Sequence, residues 1–137
     1  MKRVVAIVRL EKLSEVQKSL RKEHFLGMTV TPASGAGAEE GVTLQFRGRS
    51  FQESFTPKVK FEIVAPDIDI PKITETISSA AKTGKTGDGK IFVEPIEEVI
   101  RIRDGERGES VVAPGRLVEI ARQVELAEAE EPQYETA

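Results

Sequence analysis

Two glycine-bearing segments and three nearby cations are the residues in this chain that could hold an anion. Thr83-Gly84-Lys85-Thr86-Gly87-Asp88-Gly89 places three glycines in seven positions and is followed at once by Lys90. The exposed N–H groups of such a loop can close around phosphate oxygens with no side chain in the way. Gly35-Ala36-Gly37 is a shorter segment of the same kind. Arg101 and Arg103, two apart on what reads as one strand face, add guanidinium forks of the sort that grip phosphates. Alone, each charge is ordinarily a solvated surface group; together they point to an anion site.

The named phosphate motifs do not account for these segments. Gly84-Lys85-Thr86 ends like a P-loop, but Ser79 stands where that motif needs its first glycine, and the segment follows a helical pattern where a P-loop follows a strand. Gly35-Ala36-Gly37 begins like a dinucleotide fingerprint, yet Glu40 takes the place of the third glycine and no helix follows. His24 lies at the end of a helical segment with no Ser, Asp or Cys motif beside it, and so reads as a surface or helix-capping residue. The acidic residues are scattered and form no general acid and base pair. With no cysteine, disulfides and thiolate zinc sites are excluded. The chain reads as a binding protein and not as an enzyme.

The elements that must position these residues are legible from their periods. Residues 2 to 9, rich in β-branched apolar side chains, predict a strand. Leu13, Val16 and Leu20 then fall at helical spacing over residues 13 to 23, and after Gly27 the run Met28 to Ala33 predicts a second strand with Pro32 near its end. Residues 34 to 56 hold four of the eleven glycines and no sustained period, so they read as a long functional loop. Lys58 to Val64 alternates, with Val59, Phe61 and Ile63 on one face and Lys58, Lys60 and Glu62 on the other. Ile73, Ile77 and Ala80-Ala81 predict a second helix that begins near Ile70-Pro71 and stops at Thr83-Gly84. The last strand reads as Ile91 to Val93, resumed after Pro95 by Val99 to Arg103. That order is the ferredoxin-like βαββαβ arrangement of the α+β class, an antiparallel sheet with both helices on one face. Beyond Gly108, Leu117, Ile120, Ala121 and Val124 form a helical stripe, and Glu125 to Ala137 reads as an acidic end that frays.

At 137 residues the chain has the size of one domain. Residues 1 to 108 carry 18 basic and 16 acidic side chains, whereas residues 109 to 137 carry 2 and 7, so a weakly basic body precedes an acidic extension. No Lys/Arg cluster interleaved with aromatics suggests a nucleic-acid face. No apolar stretch approaches the roughly 20 residues that span a bilayer, so membrane insertion is not expected. Val4 to Val8 lacks the small-residue cleavage site of a secretory signal, and a cytoplasmic address is expected.

Thr83 to Phe92 and Val99 to Gly108, with Gly27-Met28-Thr29-Val30 and Pro57-Lys58-Val59-Lys60, resemble the PII signal-transduction proteins over residues 1 to 108. The resemblance implies a homotrimer that binds adenine nucleotides, ADP, AMP or ATP, in clefts between subunits. It implies that Gly87, Asp88, Gly89 and Lys90, in a B-loop over 83 to 89, wrap the phosphates, with Arg101 and Arg103 reaching in from the neighbouring subunit. Ile7, Gly35, Ala36, Gly37, Ala38, Glu62 and Val64 would line the nucleotide site on one wall, and Gly27, Met28 and Thr29 would approach the adenine from the other subunit. Residues 36 to 56 would form the T-loop, which inserts into a target membrane transporter or metabolic enzyme and acts as an order–disorder switch. Residues 109 to 137 lie outside the resemblance, as a partly helical extension.

The departures fall in that T-loop. The family pattern reads Gly-Phe-Gly-Arg-Gln-Lys-Gly where this chain reads Gly35-Ala36-Gly37-Ala38-Glu39-Glu40-Gly41, so the nucleotide-contacting arginine is replaced by Ala38. Glu39 stands in place of a glutamine that helps hold magnesium with ATP and 2-oxoglutarate. A carboxylate there can ligate Mg²⁺ but repels a dicarboxylate, an effect partly offset by Lys58, which pairs with that effector in the family. Ordinary 2-oxoglutarate sensing is therefore not expected. Phe51 replaces the tyrosine that is uridylylated in the family. The leading expectation is an adenylate-binding regulator tied to inorganic carbon, with bicarbonate as the candidate third effector. The alternatives are a nitrogen-regulatory PII protein sensing ATP and 2-oxoglutarate, and a non-sensing structural trimer.

Overall fold

A computed structural model describes residues 1–37, 43–46, 49–52, 55–112 and 124–129. The chain runs β1 (Lys2–Arg9), α1 (Leu13–Lys22), β2 (Thr29–Gly35), β3 (Thr43–Phe46), β4 (Arg49–Gln52), β5 (Thr56–Ala65), α2 (Ile70–Ala81), β6 (Gly89–Pro95) and the single turn α3 (Glu109–Val112). Short 3-10 turns at Leu10–Lys12 and Asp67–Asp69 lead into the two main helices. β2, β5, β1 and β6 lie side by side in that order, every pair antiparallel. This is the ferredoxin-like α+β arrangement expected from the order of periods.

Strand alternation explains why one face is covered and the other open. Val4, Ala6 and Val8 of β1 pair with Ile63, Phe61 and Val59 of β5, so all six side chains point to the same side, where they are buried. Against them pack Val16 and Leu20 of α1 and Ile70, Ile73, Ile77 and Ala81 of α2, at the three- and four-residue spacings of a helix stripe. Phe61, Leu20, Ile73 and Ile77 are fully buried, and each contributes on the order of 1.5–3 kcal/mol from leaving water. Pro32 is tolerated because β2 is an edge strand, paired among the described residues with β5 alone.

α1 ends in a Schellman turn. His24 N–H donates to the Arg21 carbonyl and Phe25 N–H to the Leu20 carbonyl, both at 2.9 Å, with His24 in the left-handed region at φ +66°. Phe25 and Leu20 join the same core. His24 is thus the helix-ending residue that its position in the sequence indicated.

Two sequence expectations are corrected. The 34–56 segment is not irregular throughout: β2 runs on to Gly35, and Thr43–Phe46 pairs with Arg49–Gln52 as a two-stranded ribbon in which Leu44 and Phe51 are partners in register. Alternating β-formers in Thr43-Leu44-Gln45-Phe46 are enough for that pairing. Arg101 and Arg103 do not lie on a strand. β6 ends at Pro95, and residues 99 to 108 fold back on themselves through one bridge, Ile100 to Arg107, with Asp104 in the turn and Gly105 at φ +73°. Among the described residues the Val-Ile-Arg-Ile-Arg alternation has no neighbouring strand beyond that one bridge, and Ile102 is 99% exposed. Residues 124–129 are helical, as suits a run of Leu, Ala and Glu. Leu117, Ile120 and Ala121 lie outside the described residues.

Candidate anion-binding site

The open face of the sheet carries the candidate residues, and strand register decides which of them meet. On β5, Lys58, Lys60, Glu62 and Val64 point away from the core. Ile7 and Arg9 of β1 pair with Lys60 and Lys58 and so share that face. Ile7 also pairs with Lys90 on β6, and Val8 pairs with Gly89.

The glycine loop joins α2 to β6 at this end of the sheet. Gly84, Gly87 and Gly89 have φ of +87°, +102° and +100°, a region that glycine enters without steric cost. At Gly89 the close approach is decisive, since a Cβ would sit 1.7 Å from the Ile7 carbonyl oxygen. Asp88 closes the loop on itself: its carboxylate accepts from the Thr83 and Gly84 N–H groups, each at 2.9 Å, and from the Thr83 hydroxyl. Arg9 Nε donates to Asp88 Oδ1 at 3.0 Å, and Arg9 Nη2 to the Thr86 carbonyl at 2.6 Å. The Thr83 hydroxyl and N–H, and after them Arg9 and the Gly84 N–H, hold the Asp88 carboxyl well below the usual carboxylate range.

Between this loop and the end of β2 opens a cleft of about 540 Å³. Ile7, Gly35, Ala36 and Gly37 line it, facing Gly87, Asp88, Gly89 and Lys90, with Lys58, Lys85, Thr86 and Phe92 completing the wall. Lys58 is buried, and its Nζ donates to the Gly87 carbonyl at 2.6 Å. Gly35 leaves the space that the lysine stem fills, because a Cβ there would stand 3.0 Å from Lys58 Cγ. Glycine N–H groups beside Lys58, Lys85 and Lys90 give the cleft the chemistry to hold a multiply charged anion, with Ile7 and Phe92 as its apolar part.

The remaining candidates gather elsewhere. Gly27, Met28, Thr29, Glu62 and Val64 line a second cleft of about 470 Å³ with Arg3, Ile96, Glu98 and Val99. Thr29 pairs directly with Glu62. Lys58 and Glu62, one in each cleft, are four positions apart on β5, roughly 14 Å at strand rise. Glu62 and Val64 therefore sit with Gly27 to Thr29, not with Gly35 and Gly37. Arg101 and Arg103 line neither cleft. Arg101 is held by Asp104 and Glu106 of its own turn, while Arg103 is 77% exposed. Ala38 and Glu39 lie outside the described residues, and among the described residues no cluster of acidic or histidine side chains could hold a metal ion.

Sequence reasoning missed Arg9 and Phe92, and placed Lys85 and Thr86 only within the loop. The signal for Arg9 was its place two residues beyond Ile7 on the same strand face; Phe92 likewise follows Lys90 by two. Thr83, noted only as part of the loop, proves to be its anchor to Asp88.

The family model for "Nitrogen regulatory protein P-II" matches residues 1–106. Among curated proteins, the chain is 47% identical over 112 residues to "Nitrogen regulatory protein P-II 2" of Methanothermobacter thermautotrophicus, covering 82% of this chain and 97% of that one. It is 48% identical over 108 residues to the "Nitrogen regulatory protein P-II" of Rhodospirillum rubrum, and 47% over 108 residues to that of Azospirillum brasilense; each alignment covers 79% of this chain and 96% of the relative.

Proposed function

Since the chain belongs to the nitrogen regulatory protein P-II family of signalling proteins, we propose that it binds an adenine nucleotide, ADP, AMP or ATP, and regulates a partner by the segment that carries β3 and β4. The observation that carries this reading is the glycine loop, with three left-handed glycines, set against Lys58 and Lys90 in one cleft. Phosphate oxygens fit that cleft. The second cleft, in which Thr29 and Glu62 are partners across β2 and β5, carries acceptors that suit the donor on the edge of an adenine ring.

A single subunit does not bring the two clefts together, nor Arg101 and Arg103 to either. A homotrimer, as the resemblance implies, answers this by setting the phosphate cleft of one subunit against the adenine cleft and the arginine turn of the next. Ile102 and Ile100, exposed on that turn, would be covered in the same assembly. The regulated partner is a membrane transporter or a metabolic enzyme, met in the cytoplasm. Among the described residues no helix is long and apolar enough to cross a membrane.

Glu39 and Ala38 weigh against 2-oxoglutarate as the third effector, which leaves a carbon-linked signal such as bicarbonate as the reading taken, with Glu39 as a candidate ligand of Mg²⁺. The names of the relatives favour a second reading of the same kind, nitrogen regulation with ATP and 2-oxoglutarate. Calorimetric titration tests all of these: ATP, ADP and AMP, each alone, with magnesium plus 2-oxoglutarate, and with bicarbonate. Nucleotide binding altered by bicarbonate alone supports the carbon-linked reading. Enhancement by 2-oxoglutarate supports the nitrogen reading, and no binding of any nucleotide leaves a structural trimer.

A further inference from the structure

We infer that Arg9 is the positioning residue of the glycine loop, holding the Asp88 carboxylate and the Thr86 carbonyl in one fork so that the loop N–H groups keep a fixed direction for phosphate. This rests on the nucleotide reading above and deepens it.

Packing does not hold the loop. Thr83, Gly84, Lys85 and Thr86 are exposed, and the loop has open space on both sides. In front lies the 540 Å³ cleft; behind, between the loop and α2, lies a cavity of about 300 Å³ bordered by Ile77, Ala81 and the same Asp88, Gly89 and Lys90. Left-handed glycines at 84 and 87 make the backbone permissive, so its conformation depends on polar ties.

Beside the bonds of Asp88 to Thr83 and Gly84, those ties come from two neighbouring cations. Arg9 and Lys58 are direct partners across β1 and β5, and each reaches a different loop carbonyl, Thr86 for Arg9 and Gly87 for Lys58. In a trans peptide the C=O and the following N–H point opposite ways, and no peptide here is cis. Pinning the Thr86 and Gly87 carbonyls therefore sets the N–H groups of Gly87 and Asp88 on the opposite side of two successive peptide planes. Arg9 also engages Asp88, which orders the N-terminal half of the loop through Thr83 and Gly84. One side chain thus couples both halves of the loop. A lysine replaces it only in part, since a point charge does not span a carboxylate and a carbonyl as a planar fork does. Arg9 does not line the cleft, so its effect on a ligand passes through the loop.

The test compares Arg9→Gln, Arg9→Lys and the unaltered protein in two measurements. In the ligand-free protein, amide hydrogen exchange at Gly84, Gly87 and Asp88 should speed up in Arg9→Gln, while exchange in the centre of β1 stays unchanged. In titrations, Arg9→Gln should weaken ADP about tenfold, near the worth of one charge-assisted hydrogen bond, and leave adenosine affinity unchanged. Arg9→Lys should recover only part of both effects. Unchanged loop exchange in Arg9→Gln overturns the inference even if no nucleotide binds; equal losses for ADP and adenosine overturn it too, by showing a general structural role. Failure of the unaltered protein to bind ADP would instead overturn the nucleotide reading, leaving the exchange result to judge Arg9.

Discussion

Arg101 grips Asp104, three residues onward, with three hydrogen bonds: Nε to Oδ1 at 3.1 Å, Nε to Oδ2 at 3.2 Å and Nη2 to Oδ2 at 2.9 Å. Glu106 accepts from the same Nη2, and its backbone carbonyl accepts from Arg101 N–H at 2.8 Å. A flexible side chain is thereby fixed before any ligand arrives, which reduces the ordering cost of a later contact.

Replacing Arg101 by alanine should weaken ADP binding by roughly tenfold to a hundredfold, the range for losing a hydrogen bond to a charged group. The same holds for Arg103. Size-exclusion chromatography should show an unaltered oligomer in both variants. If ADP affinity stays the same in both, the arginine turn has no part in the site.

Loop order should depend on pH through Asp88. Its carboxyl is depressed by the Thr83 hydroxyl first, so the charged form is the one the fold stabilises. That contribution is fully present above the ordinary carboxylate value near 4 and is lost as pH falls through the depressed value. Loop amide exchange, corrected for its intrinsic rate, should be level from about pH 8 to 5 and rise only below about pH 4. A midpoint near pH 6 would assign control to another group. Asp88→Asn should show a disordered loop at every pH.

Gly89→Ala should be among the most damaging single changes. The added methyl meets the Ile7 carbonyl at 1.7 Å and Val8 Cα at 3.3 Å, and φ of +100° suits no L side chain. Either β6 parts from β1 or the loop is displaced, at a cost of about 3 kcal/mol or more. Thermal unfolding reads the effect; a melting temperature equal to that of the unaltered protein would contradict the geometry.

His24→Gly should stabilise the fold by about 1 kcal/mol, because φ of +66° burdens a side-chain-bearing residue and not glycine. The gain should appear as a rise of a few degrees in the melting temperature, about 2–5 °C for a domain of this size. A fall would mean that the imidazole makes a contact worth more than the strain it bears.

The sheet and its covered face were legible because β1, β5 and the two helices each bury one side, and that leaves a period of two or of 3.6 in the sequence. The β3–β4 ribbon was not, since four residues per strand are too few for a period to declare itself. Arg101 and Arg103 were recognised as phosphate-gripping types but misplaced: apolar alternation resembles a strand whether or not a neighbouring strand exists to pair with it. The glycine loop was legible as a loop, because glycine density is a local property. What holds it was not, for Arg9 and Asp88 are 79 positions apart and meet only through strand register.

β5 is paired on both sides over residues 58 to 62, with β1 and with β2. Inserting or deleting one residue there would invert every side chain beyond the change, turning Lys58 into the core and Val59 toward the cleft. A change of chain length in β5 would therefore remodel the anion cleft, whereas exchange of one residue for another leaves its register intact.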